Sequence, residues 1–168
     1  MLNDFPNVVE GIEGIATNEG KIGAHRALII AARANETVVS KLVEGALEAF
    51  RKCGLKAEDI KLVRVAGALE IPLALKKAAS KRTFTTYVVL GAVIKGKTDH
   101  YEHVARMAND GVLRVAIEES IALGNGILTV HNLEQALERA SGPYGNLGYD
   151  AACAAIDLYG TFCAFEEK

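Results

Sequence analysis

His100 closes the run GAVIKGKTDH (91–100), in which an apolar stretch turns through Gly-Lys-Thr into a helical pattern. An imidazole at a helix start beyond a strand end is reachable by a bound ligand, and it is the side chain most often used to move protons. As an isolated residue it reads more readily as a helix cap. Lys97 and Thr98 stand just before the same helix, whose unpaired leading amides and dipole favour a phosphate. Glu70, within GALEIP (67–72), opens another helix; a carboxylate there serves either a ligand or the helix dipole, and the residues alone leave both open. Arg139 ends a short helix before the turn 141–148, where a cation suits the C-terminus in any case. Lys95 reads as a solvated strand-end lysine. His103 with Glu102 raises the idea of a metal, but no Cys, third His or Asp at suitable spacing completes a site, so no metal is expected.

Residues 91–98 also have the spacing of a P-loop, a Gly and four arbitrary residues before Gly-Lys-Thr. Two objections stand against it. A P-loop curls its amides around phosphates, whereas Ala92, Val93 and Ile94 are apolar, and Val and Ile favour extended backbone. Its magnesium also needs an Asp at the end of a second buried strand, and the other strand-like runs end in Ala32, Val65 and Val130.

The elements that would position these side chains alternate along the chain. Strand-like runs fall at 27–32, 60–65, 87–94 and 126–130, each short and apolar as in a sheet buried on both faces. Helical periodicity follows each. Val39, Val43, Ala46, Phe50 and Cys53 make one apolar face, with Asn35 as the N-cap and Gly54 as the stop. A second helix spans about 71–80 with Pro72 in its first turn, and a third about 100–123. Shorter ones are expected at 133–140 and 147–165. This predicts an α/β domain with a parallel sheet between helix layers, and ligands beyond the carboxyl ends of the strands. Residues 1–25 read as an arm or edge strand. The helix at 147–165 is apolar on more than one face, which predicts association with other subunits.

With 168 residues, half of them apolar and a quarter charged, the chain fits one globular domain, 1–168. Its net charge is −2 with Lys and Arg scattered, which argues against nucleic acid and membrane surfaces as partners. The N-terminus is acidic where a signal peptide would be basic, and the longest apolar run is too short to span a bilayer. Cys53, Cys153 and Cys163 lack metal-like spacing and read as reduced core thiols. A cytoplasmic location is expected.

In combination, GALEIP (67–72), GAVIKGKTDHYEHV (91–104), GNGILTVHNLEQALERA (124–140) and the turn ending GNLG at 148 resemble the lumazine synthase family, over about residues 26–160. The resemblance implies a three-layer sandwich whose four-stranded parallel sheet has flavodoxin-like order, assembled as pentamers or as 60-mers of twelve pentamers. It implies condensation of 5-amino-6-(D-ribitylamino)uracil with 3,4-dihydroxy-2-butanone 4-phosphate to 6,7-dimethyl-8-ribityllumazine, phosphate and water, in riboflavin biosynthesis. No cofactor is implied, and riboflavin synthase is a possible protein partner by the same resemblance. His100 falls on the family's catalytic histidine, and Lys97 and Thr98 on the phosphate-binding turn. Arg139 falls on a phosphate-binding arginine that serves the neighbouring subunit's site. Ala68, Leu69 and Glu70 fall on the segment holding the ribityl chain, Ala92, Val93 and Ile94 on the strand end that reads the pyrimidine, and Asn125 on a contact from the adjacent subunit.

Three positions depart from the family pattern. Ala34 stands where an aromatic ring usually stacks on the heterocycle, Leu147 where a lysine is common near the phosphate, and Asn125 where many members carry Phe. These departures sustain an alternative: a shell-forming or flavin-binding relative with reduced synthase activity.

Overall fold

A computed structural model describes residues 25–142 and 144–166. The strands are β1 (Ala27–Ala32), β2 (Ile60–Val65), β3 (Thr86–Ile94) and β4 (Ala122–Val130). The helices are α1 (Glu36–Lys52), α2 (Ile71–Ala79), α3 (His100–Glu119), α4 (Leu133–Ser141) and α5 (Leu147–Glu166), with 3-10 turns at Ala57–Asp59 and Ala68–Glu70. All strand pairs are parallel, in the order β2-β1-β3-β4. This is the expected α/β three-layer arrangement with flavodoxin-like order.

Alternation along the strands divides the core. Ile29 of β1 and Val88 and Leu90 of β3 pack with Val38, Leu42 and Phe50 of α1 and Ala151 and Ala155 of α5. Leu28, Ile30, Tyr87 and Val89 face the other way, onto Ile71 and Leu75 of α2 and Val112 and Val115 of α3. Because each face is covered, β1 and β3 need apolar residues at every position and read as unbroken runs. β2 does not meet that expectation: it is an edge strand, with Leu62 45% and Val63 42% exposed.

The boundary between α3 and β4 also differs from the sequence expectation. Ile117 and Ile121 continue the helical spacing, yet the helix stops at Glu119 because Ser120 adopts a left-handed conformation, φ 48°. The strand then begins at Ala122, four residues earlier than expected, and runs through Gly124 and Gly126. These glycines mark close approach: a Cβ at Gly124 would lie 1.8 Å from the carbonyl oxygen of Ala151 in α5. Cys53 departs as well, being exposed at the end of α1.

The expected N-terminal arm lies outside the described residues except for His25. That residue is buried, its Nε2 3.0 Å from Thr86 Oγ1 and its ring edge-on to Tyr159 at 5.0 Å. Burial holds the imidazole below its usual 6.5, against a smaller upward pull from Asp59. The folded state therefore prefers the neutral ring. The stability this group contributes is complete above the unfolded value of 6.5 and is lost as pH falls from there through the lower folded value. Thermal melts between pH 5 and 8 are expected to show Tm falling on the acid side, with a shallower fall in His25→Gln. Equal slopes would remove His25 as a source of the effect. Among the described residues no helix is long and apolar enough to cross a membrane.

Candidate active site

The cleft lies beyond the carboxyl ends of β1 and β3, with a volume of about 370 Å³. Three chain segments build it. The first is the β1-α1 connection, where the amides of Arg33 and Ala34 donate to the carbonyls of Val65 and Ala66 at 2.8 and 3.1 Å, continuing the β1-β2 ladder past the strand ends. Asn35 follows with φ 56°, a conformation Asn tolerates better than most residues. Asn35 occupies the N-cap position but makes no capping bond with its side chain, contrary to expectation. Its Nδ2 instead donates to the Ala92 carbonyl at 2.8 Å, tying the start of α1 to the end of β3.

The second segment is the turn Gly67 to Glu70. The Glu70 carboxylate accepts from the Gly67 amide at 2.7 Å, so one oxygen closes the turn. Of the two roles left open for Glu70, the local structural one is thus present, and the residue also lines the cleft. Pro72, in the first turn of α2, needs no hydrogen-bond partner there.

The third segment runs from β3 into α3. Ala92, Val93 and Ile94 pair in register with Leu128, Thr129 and Val130, so the residues that would have to curl in a P-loop are strand. Beyond them the Lys95 amide donates to the Val130 carbonyl at 2.9 Å, and the chain turns through Gly96 and Thr98 into α3. Asp99, at the N-cap position, makes no side-chain capping bond. Its carboxylate therefore leaves the leading amides of α3 uncapped, at the position expected to receive a phosphate.

Ala34, Ala68, Leu69, Glu70, Ala92, Val93, Ile94, Thr98 and His100 all line this cleft. Lys97 is exposed on the adjoining turn and does not line it. Asn125 lies elsewhere: its Nδ2 donates to Asn109 Oδ1 at 2.7 Å, and it borders an apolar groove between α3 and α5. Arg139 is exposed in the last turn of α4. Both are the residues whose expected role was in a neighbouring subunit's site.

Asn35 and Gly96 lie in strand-end segments where a ligand is expected, although Asn35 reads there only as an N-cap; Tyr101 and Val104 were missed as lining residues. For Tyr101 the signal was weak, since it directly follows the candidate histidine but consecutive helical residues do not share a face. Asn35 could not be separated by sequence from an ordinary N-cap. Among the described residues no group of three or more His, Cys, Asp or Glu side chains is placed to hold a metal ion. The model of the 6,7-dimethyl-8-ribityllumazine synthase family matches residues 24–162, most of the chain, and the chain belongs to that family.

Proposed function

We propose that the protein condenses 5-amino-6-(D-ribitylamino)uracil with 3,4-dihydroxy-2-butanone 4-phosphate, giving 6,7-dimethyl-8-ribityllumazine, phosphate and two waters. The observation that carries this reading is the convergence of His100, Glu70 and the end of β3 on one cleft, in a chain of this family. The backbone at Ala92 to Ile94 reads the pyrimidine edge, and Ala68, Leu69 and Glu70 hold the ribityl chain. The turn with Lys97 and Thr98 and the uncapped start of α3 receive the phosphate. Arg139 and Asn125 complete a neighbouring subunit's cleft, which fits their positions away from this one. Assembly is supported by the apolar side chains that α3 leaves in solvent: Met107 is 62%, Leu113 59% and Ile117 69% exposed. Sedimentation as a monomer at micromolar concentration would remove the assembly.

In the reaction the uracil's amine attacks the butanone carbonyl and water leaves as a Schiff base forms. Phosphate is eliminated, and the ribityl-bearing nitrogen closes the ring with loss of the second water. His100 takes and returns the protons. Holding both reactants in line contributes on the order of 7 to 11 kcal/mol in the best intramolecular cases. Incubating the protein with both substrates is expected to produce lumazine fluorescence; none would refute the proposal.

Ala34 sustains the second reading, a shell-forming or flavin-binding relative with reduced activity, because a methyl group offers the aminouracil no ring to stack on. Riboflavin binding without turnover would support it. If the cleft takes the heterocycle beside residue 34, Ala34→Phe restores a stacking partner worth about 0.5 to 1.5 kcal/mol. The expected result is roughly 2- to 12-fold tighter binding of the aminouracil by equilibrium titration. Unchanged affinity would place the heterocycle away from residue 34.

A further inference from the structure

His131 directly follows β4 and is not among the residues lining the cleft. Val130 packs against the α1 and α5 side of the sheet, so the alternation of the strand turns His131 to the α3 side. Its backbone is fixed there by the start of α4. The His131 amide donates to Gln135 Oε1 at 2.9 Å, while the Gln135 amide donates to Asn132 Oδ1, also at 2.9 Å. On the α3 side the His131 ring meets Tyr101 edge-to-face, centroids 6.3 Å apart and planes at 77°. Tyr101 is half-buried, packs on the α2 and α3 core, and lines the cleft.

This contact matters because of what α3 lacks. Its first turn carries His100 and Tyr101 with no side-chain cap, and His100 itself is exposed. Lateral restraint on that turn comes from Tyr101, which packs on the core and also meets the exposed His131 ring, and from Val104 one turn on. We propose that His131 is a positioning residue, acting through Tyr101 to fix the turn that bears His100. The inference rests on the synthase reading above and adds a residue to it.

Because the role needs a ring and no proton transfer, His131→Phe should preserve it and His131→Ala should not. His131→Ala is expected to lower kcat roughly 3- to 10-fold with KM for the butanone phosphate changing less, as loss of one aromatic contact predicts. Its Tm should stay at the wild-type value, and His131→Phe should recover kcat to within about twofold. A wild-type kcat in His131→Ala, or a His131→Phe as slow as His131→Ala, would overturn the proposal. A readout independent of turnover is the rate at which diethyl pyrocarbonate modifies His100 in the ligand-free protein, followed by peptide mass mapping. That rate should change at least about twofold in His131→Ala and not in His131→Phe, since the contact energy sets how firmly the turn is held. Should wild-type protein make no lumazine, the synthase reading fails, while an unaltered His100 modification rate in His131→Ala would refute the positioning role by itself.

Discussion

Replacing His100 with alanine is expected to slow lumazine formation roughly 10- to 1000-fold without abolishing it, because general acid-base catalysis by one group supplies about that much. Schiff base formation, phosphate elimination and ring closure each move protons, and His100 is the imidazole lining the cleft. In the proposed reaction what remains after its removal is placement, the role assigned above to the strand end at Ala92 to Ile94, the Glu70 turn and the start of α3, of which Ala92 to Ile94 and Glu70 line the same cleft. The loss should fall on kcat more than on KM, since the role proposed for the imidazole is proton movement and not holding either substrate. His100 is exposed, so Tm should remain at the wild-type value. Steady-state kinetics of the variant with both substrates is the measurement; an unchanged kcat would take His100 out of the mechanism.

The ease of locating His100 in the sequence has a physical basis. β1 and β3 are covered on both faces, so their residues are apolar without interruption and their ends are sharp; the turn into α3 then follows within a few residues. The limits of β1 were legible for the same reason, and those of β2 were legible as well although its faces are not both covered. β2's exposure was not, because an edge position depends on strand order and not on composition. The start of β4 was hidden because its glycines look like a break. Gly124 is required by the backbone of α5, a partner more than 20 residues away in sequence, and Gly126 by the Leu90 side chain of β3. Asn35 shows the same limit within the site: its type fits an N-cap, but its partner is Ala92, 57 residues on. The separate placement of Asn125 and Arg139 was expected only from the family resemblance, since nothing in spacing says which subunit a side chain serves.

Asn146 carries the largest expected effect on stability. Its Nδ2 donates to the Lys41 carbonyl at 2.8 Å and to the Ala140 carbonyl, while its Oδ1 accepts from the amides of Gly148 and Tyr149 at 2.8 and 3.1 Å. One amide thus caps α5, closes α4 and joins both to α1. The neighbouring glycines permit it: a Cβ at Gly45 would lie 2.2 Å from the Asn146 side chain, and one at Gly148 would lie 2.0 Å from the Leu42 carbonyl oxygen. In Asn146→Ala the cap is lost, at about 0.5 to 2 kcal/mol, and the carbonyls of Lys41 and Ala140 lose a donor in a partly buried setting, at about 1 to 3 kcal/mol where water cannot replace it. A loss of roughly 1.5 to 5 kcal/mol is expected, read as a lower midpoint in urea denaturation. Asn146→Ser can cap α5 but cannot reach α1, so it should recover only the cap, about 1 kcal/mol. An unfolding free energy for Asn146→Ala within about 0.5 kcal/mol of wild type would show that the junction is held by the helix packing alone. The Ala140 bond also fixes the end of α4, one residue after Arg139. If Arg139 serves a neighbouring cleft, the Ser variant, folded but without that bond, should show a raised KM for the butanone phosphate.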